Sequence, residues 1–284
     1  MNQVKIIECP RDAMQGWENQ IPTEKKITYL NQLLKVGFDT LDFGSFVSPK
    51  AIPQLADTAQ VYEKLDLDGT PTKLLAIIAN LRGAETALSF EKITYLGFPF
   101  SISETFQQRN TNSSIAEAYS LVEKVQNLCQ KANKQLVIYF SMGFGNPYRD
   151  PYDVEIVANW AEKMANLGIK TIALSDTVGV AETKTISELF SELIPKYPSI
   201  EFGGHFHATP DGWRTKIEAA YEAGCRRFDG AIGGFGGCPM AEDELVGNID
   251  TTNLFQFFRE KGENTGIDKD RLIDCVKTST DIFI

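Results

Sequence analysis

The stretch "GGHFHATPDG" places His205 and His207 one residue apart, in a chain that has only 2 histidines. Residues two apart on a strand project from the same face, so both imidazoles would converge on one point. Two neutral imidazoles at a fixed separation are ligands for a divalent cation; the plainer reading is that they only hydrogen-bond inside a packed core. No Cys-x-x-Cys spacing accompanies them, so oxygen atoms should complete the shell, which favours Mg²⁺ or Mn²⁺, with Zn²⁺ as the rival. Arg11 and Asp12, in "CPRDAMQG", offer a permanent cation and a carboxylate side by side. Standing alone they would read as an ordinary surface ion pair. A third stretch, "GAIGGFGGCPMAEDELVGN", is too rich in glycine for a helix and carries Cys238 and Asn248. It holds neither a GxxxxGK[ST] nor a GxGxxG spacing, so nucleotide binding is not indicated. A loop that closes over a site and brings a thiol is the better reading, against that of an inert buried cysteine.

The elements that would have to position these residues recur along the whole chain. Eight short apolar runs stand in sequence: "VKIIEC", "TLDFGSF", "KLLAIIA", "KITYLGF", "QLVIYFS", "TIALSDT", "EFGGHFH" and "RRFDGAIGG". Several are almost continuously apolar, as parallel strands buried on both faces are. Helical segments lie between them. "TEKKITYLNQLLKVG" suggests a cap at Thr23, one face made by Ile27, Leu30 and Leu34, and a stop at Gly37. "SSIAEAYSLVEKVQNLC" opens on Ser114 and Glu117, a capping-box spacing, and sets Ile115, Ala118, Tyr119, Val122 and Cys129 on one stripe. No linker or low-complexity tract breaks the alternation, so the expectation is one domain, residues 1–284, folded as a (β/α)8 barrel of the TIM type, with an open doubly wound sheet as the rival. Active sites of such barrels form where the strands end. The polar exceptions fall there: Arg11 and Asp12 after the first run, Asp42 and Ser45 late in the second, Asp176 and Thr177 closing the sixth, the histidines closing the seventh.

A net charge of −10 argues against a nucleic-acid or anionic-membrane surface, both of which require accumulated Lys and Arg. The 5 cysteines are scattered and odd in number, which suits a reducing compartment. The start "MNQVKIIECP" has no signal-peptide character and no apolar run is long enough for a bilayer, so a cytoplasmic protein is expected.

"PRDAMQ", "SFVSPK", "SDTVGV", the paired histidines and "GGFGGCPMA…GN" occur in an order that resembles the 3-hydroxy-3-methylglutaryl-CoA lyases, members of a metal-dependent lyase and Claisen-condensing barrel superfamily. The resemblance implies a divalent cation held by Asp12, His205, His207 and Asn248, catalytic roles for Arg11, Cys238 and Asp12, and a substrate pocket lined by Gln15, Asp42, Ser45, Asp176 and Thr177. It also implies an acyl-CoA substrate and a homodimer. Where that family has Asp-Thr after the histidines, this chain has Ala208 and Thr209.

The chemistry so implied splits 3-hydroxy-3-methylglutaryl-CoA into acetyl-CoA and acetoacetate. A hydroxyl proton must leave while the α-carbon departs as a thioester enolate. A cation lowers the hydroxyl's pKa, Arg11 stabilises oxyanion charge, and Cys238 is placed to protonate the enolate carbon. Two alternatives stand beside it: a Claisen-type synthase joining acetyl-CoA to a 2-oxo acid, and a silent barrel that only binds metal or acyl-CoA. Lys50 and Arg109 are candidates for the coenzyme A phosphates.

Overall fold

The computed structural model describes residues 3–237 and 246–283. Strands β1 (Lys5–Glu8), β2 (Thr40–Ser45), β3 (Lys73–Ile77), β4 (Ile93–Ser101), β5 (Gln135–Ser141), β6 (Thr171–Asp176), β7 (Glu201–Ala208) and β8 (Arg227–Gly230) run parallel, each paired with the next. β8 pairs with β1, so the sheet closes into a barrel. The open-sheet alternative is thereby excluded. A ninth strand, β9 (Gly247–Asn248), is not foreshadowed in the hydrophobic pattern and lies antiparallel to the end of β7, with Asn248 opposite His207.

Helices fill the connections: α1 (Pro10–Gln15), α2 (Thr23–Leu33), α3 (Thr58–Tyr62), α4 (Leu81–Leu88), α5 (Glu104–Thr111), α6 (Ile115–Lys131), α7 (Val154–Asn166), α8 (Thr183–Lys196), α9 (Trp213–Glu222), α10 (Thr251–Glu260) and α11 (Lys269–Phe283). Ser114 and Glu117 form the expected capping box of α6, which satisfies donors the first turn would leave bare. Thr23 does not cap α2. It is the first helical residue, Pro22 precedes it, and its hydroxyl donates to Asp57 at 2.7 Å. The helix ends at Leu33 with Leu34 as its cap, and Gly37, three residues past the cap, turns the chain at φ 98°, which a residue without a Cβ adopts freely.

The main core lies between the barrel and its helices. A second apolar cluster, Leu75, Ile77, Tyr95, Val137, Tyr139 and Ala173, joins residues of β3 to β6, as the inward side chains of a filled barrel do. Charges lie at the strands' N-terminal ends: Lys5 pairs with Glu201, Lys73 lies 3.0 Å from Asp39, and the buried Arg227 reaches Glu201 at 3.8 Å. The polar groups that converge on His205 and His207 lie at the opposite end. No helix among the described residues is long and apolar enough to cross a membrane.

Candidate metal centre and active site

At the C-terminal ends of the strands a cavity of about 160 Å³ is lined by Arg11, Asp12, Gln15, Tyr139, Ser175, Thr177, His205 and His207, with apolar groups from β2 to β4 and α5. Alternation along β6 and β7 explains the polar lining: Ser175 stands in register with His205, and Thr177 and His207 continue the same faces. Asp176, between Ser175 and Thr177, is turned away. Its carboxylate meets Lys216 of α9 at 2.6 Å behind the barrel, so the expectation that Asp176 lines the pocket is corrected by the two-residue period of the strand.

The imidazoles are held by their Nδ1 atoms. His205 Nδ1 lies 3.1 Å from Asp229 Oδ2 and His207 Nδ1 lies 3.2 Å from the Thr177 carbonyl oxygen. That oxygen can only accept, so His207 carries its proton on Nδ1 and Nε2 is bare. Among the described residues His207 Nε2 is buried with no hydrogen-bond partner. A buried acceptor without a partner costs free energy, and a cation supplies one. Asp12, His205 and His207 bring ligand atoms within 4.8 Å of one another, an arrangement able to hold a metal ion. Burial and the neighbouring His205 charge pull His207 down to about 4, which keeps it in the neutral form a metal requires. Burial also works against charge on His205, but the bond to Asp229 and its charge outweigh it and raise that ring's pKa.

Asp12 and Arg11 sit in α1, not in a loop; Pro10 occupies the first turn, where its missing N–H costs nothing. Arg11 donates to Asp42 Oδ2 through Nε at 2.9 Å and Nη2 at 2.6 Å, and through Nη1 to Asp12 at 2.8 Å and Gln15 at 3.0 Å. Burial resists ionisation of Asp12, yet Arg11, both histidines and the Asn248 amide together hold it well below the usual carboxylate range. Asp42 is different. Burial lifts it to about 6 although Arg11 pulls the other way.

Asn248 donates to Asp12 Oδ2 and to the Phe235 carbonyl, both at 2.8 Å. Its amide nitrogen is therefore committed and its oxygen is the atom left to offer a cation. The glycine-rich segment makes this approach feasible: at Gly236 (φ 92°) a Cβ would lie 2.7 Å from Asn248 Nδ2 and 2.8 Å from the Asp12 carbonyl oxygen. Phe235 in turn stacks on Phe283 of α11, with ring centroids 4.6 Å apart. Cys238 lies outside the described residues.

Of the other expected pocket residues, Gln15 and Thr177 border the cavity, and the Thr177 hydroxyl also accepts from Met142 N at 2.8 Å. Ser45 borders an adjacent cleft with Asn80, Arg82 and Thr86 instead, its hydroxyl taking the Val47 N–H at 3.2 Å. Lys50 is exposed, and Arg109 lies over the Tyr148 ring at 4.8 Å. Several groups were missed in the sequence. Asp229 shares a strand face with Arg227, and alternation along "RRFDG" could have found it. The hydroxyls of Tyr139 and Ser175, buried at the cavity without partners among the described residues, carry no signal beyond their strand positions. Cys9, buried in the core, belongs to a second group with His205 and Asp229.

Residues 3–278 match the family described as HMGL-like. The chain belongs to the HMGL-like family. It is 33% identical to the hydroxymethylglutaryl-CoA lyase YngG of Bacillus subtilis, across 94% of this chain and 89% of that protein. A 3-hydroxy-3-isohexenylglutaryl-CoA/hydroxymethylglutaryl-CoA lyase of Pseudomonas aeruginosa is 30% identical across 96% of this chain and 90% of its own length. The solved structure of an HMG-CoA lyase from Acinetobacter baumannii, in complex with coenzyme A and 3-methylmalate, superposes with a TM-score of 0.92 at 33% identity, covering 99% of this chain and 91% of that one. Membership thus spans the barrel and the loops at its mouth in this HMGL-like chain.

Proposed function

We propose that this chain is a divalent-metal-dependent carbon–carbon lyase that cleaves 3-hydroxy-3-methylglutaryl-CoA to acetyl-CoA and acetoacetate. The observation that carries the reading is the convergence of Asp12, His205 and His207, whose Nε2 has no partner among the described residues, beside the Arg11 guanidinium, in a member of the HMGL-like family. Asp12, His205, His207 and Asn248 would hold the cation, which supplies acidity to the substrate hydroxyl and a fixed orientation for it. Two nitrogen and two oxygen donors suit Mg²⁺ or Mn²⁺, with Zn²⁺ the competitor.

In the forward reaction the hydroxyl proton leaves, the bond between the α and β carbons breaks with its electron pair moving to the α-carbon, and that carbon takes a proton. Arg11 faces the cavity with fixed positive charge and stabilises the developing oxyanion. Two groups are candidates to take the hydroxyl proton, Asp12 and a water in the site; Asp12 also serves as a ligand. Cys238 is assigned the return of a proton to the α-carbon from its place in the matched motif. Gln15 and Thr177 position the acyl end, Tyr139 and Ser175 offer hydroxyls to its oxygens, and Asp42, expected to line the pocket, is instead fully buried against Arg11 and holds its guanidinium.

The reading takes residues 1–284 as one catalytic domain, supported by strands from Lys5 to Gly230 closing a single barrel. It places the enzyme in the cytoplasm as a homodimer, a pairing supported by the family resemblance alone. The test is incubation of purified protein with Mg²⁺ or Mn²⁺ and the thioester. Equimolar acetyl-CoA and acetoacetate, abolished by a chelator, are expected. No product from this thioester would refute the substrate, and no turnover of any hydroxyacyl thioester would leave the silent barrel as the answer.

A further inference from the structure

Lys216 of α9 is 8% exposed, and its ammonium has three acceptors: Asp176 Oδ2 at 2.6 Å, the Gly179 carbonyl at 2.8 Å and the His207 carbonyl at 2.9 Å. An ammonium has three N–H donors, so all are satisfied, two on the turn that ends β6 and one on the end of β7. We propose that Lys216 is a positioning residue for the metal centre, stapling the ends of β6 and β7 so that His207 presents Nε2 to the cation. The inference rests on the metal-site reading above.

The staple reaches His207 from two sides. One contact is to its own carbonyl. The other runs through Asp176 to the next residue, Thr177, whose carbonyl oxygen accepts the His207 Nδ1 proton. The Asp176 carboxylate is itself fixed by the Ala181 N–H at 3.0 Å. The third contact seats Gly179 (φ 73°), packed so close to Val246 that a Cβ there would lie 2.7 Å from that side chain. Val246 precedes β9, which carries Asn248, so one ammonium braces the backbone beneath two candidate ligands. Ala208 follows His207 with only a methyl group, so the polar brace behind this ligand comes from α9 rather than from the strand. Groups that orient metal ligands from behind typically change affinity ~10–100-fold when removed.

Mn²⁺ binding, measured by titration calorimetry and by the nitrogen modulation of the bound ion's electron spin echo, tests this. Lys216→Met alone would strand the Asp176 carboxylate in the interior and endanger folding. Asp176→Asn/Lys216→Met removes both charges together, and Lys216→Arg keeps the charge but not the three-way geometry. Both variants are judged after circular dichroism and a cooperative melt establish folding, and Lys216→Arg carries the test if the double variant does not fold. A loss of Mn²⁺ affinity of about tenfold with altered imidazole modulation is expected. Folded variants that bind Mn²⁺ within twofold of the parent with unchanged modulation would overturn the staple. A parent protein that binds no Mn²⁺ would instead overturn the metal reading, and the staple with it.

Discussion

Replacing Arg11 by methionine tests the electrostatics of the site most directly. The guanidinium lies 2.6 Å from Asp42 and 2.8 Å from Asp12, and the side chains of Arg11 and Asp42 are 8% and 0% exposed. At an effective dielectric constant of about 20, one such contact represents roughly 6 kcal/mol of attraction. The variant recovers the cost of burying the guanidinium, so the expected net loss of stability is about 3–5 kcal/mol. The pH dependence follows from Asp42. Its folded pKa, about 6, is raised above the usual 3.8, so its contribution is complete below the unfolded value and disappears as pH rises through 6. Without Arg11 that pKa climbs further, and the gap between variant and parent widens from pH 5 to pH 8. Urea denaturation with a chelator present keeps metal linkage out of the measurement. Arg11→Met/Asp42→Asn should regain more than half of the lost stability, because the stranded carboxylate is gone. Turnover should stay down about 10²–10³-fold in both variants, since the oxyanion partner is missing. An Arg11→Met protein as stable as its parent at pH 8, or a double variant no more stable than the single, would refute this account.

Cys238→Ser should lower turnover at least ~100-fold while metal content, measured by elemental analysis, stays intact; equal turnover would remove the thiol from the mechanism. Glu8 accepts from Ile232 N and from the Thr251 hydroxyl, and burial, partly countered by those bonds, lifts it to about 8 from 4.5. A raised carboxyl favours the fold at low pH and loses that contribution as pH rises through 8. Between pH 5 and pH 8.5 Glu8→Gln should therefore gain about 3–4 kcal/mol of stability relative to the parent; an offset that does not vary with pH would contradict it. Asp150 accepts from the Ser103 hydroxyl at 2.5 Å and from Thr105 N and Oγ1 at 2.9 Å, clasping the start of α5, whose Phe106, Asn110 and Thr111 border the cavity. Asp150→Ala should speed amide exchange in α5 by about 1–2 kcal/mol and raise KM several-fold with kcat less changed; unaltered exchange would show the clasp to be idle.

Much of this molecule could be read without coordinates wherever the information is periodic or local. Eight apolar runs alternating with amphipathic segments implied a closed parallel barrel, because strands buried on both faces and one-sided helices have few other ways to bury their surfaces. The spacing of His205 and His207 implied one ligand face, since side-chain alternation is a property of the strand itself. Asp176 shows the limit of that logic: the same alternation turns it away from the cavity, yet a motif read as a block carried it in with Thr177. What tertiary structure alone decided are the relations between distant stretches. Asn248 reaches Asp12 through a short antiparallel strand and glycine-permitted close approach, Asp229 orients His205 from the neighbouring strand, and Lys216 enters from a helix with no sign in its surroundings that it would be buried. Such partnerships depend on which segments the barrel's closure brings together and on how deeply it removes them from water, and neither the hydrogen-bond partner nor the local dielectric of a side chain is encoded in its immediate neighbours.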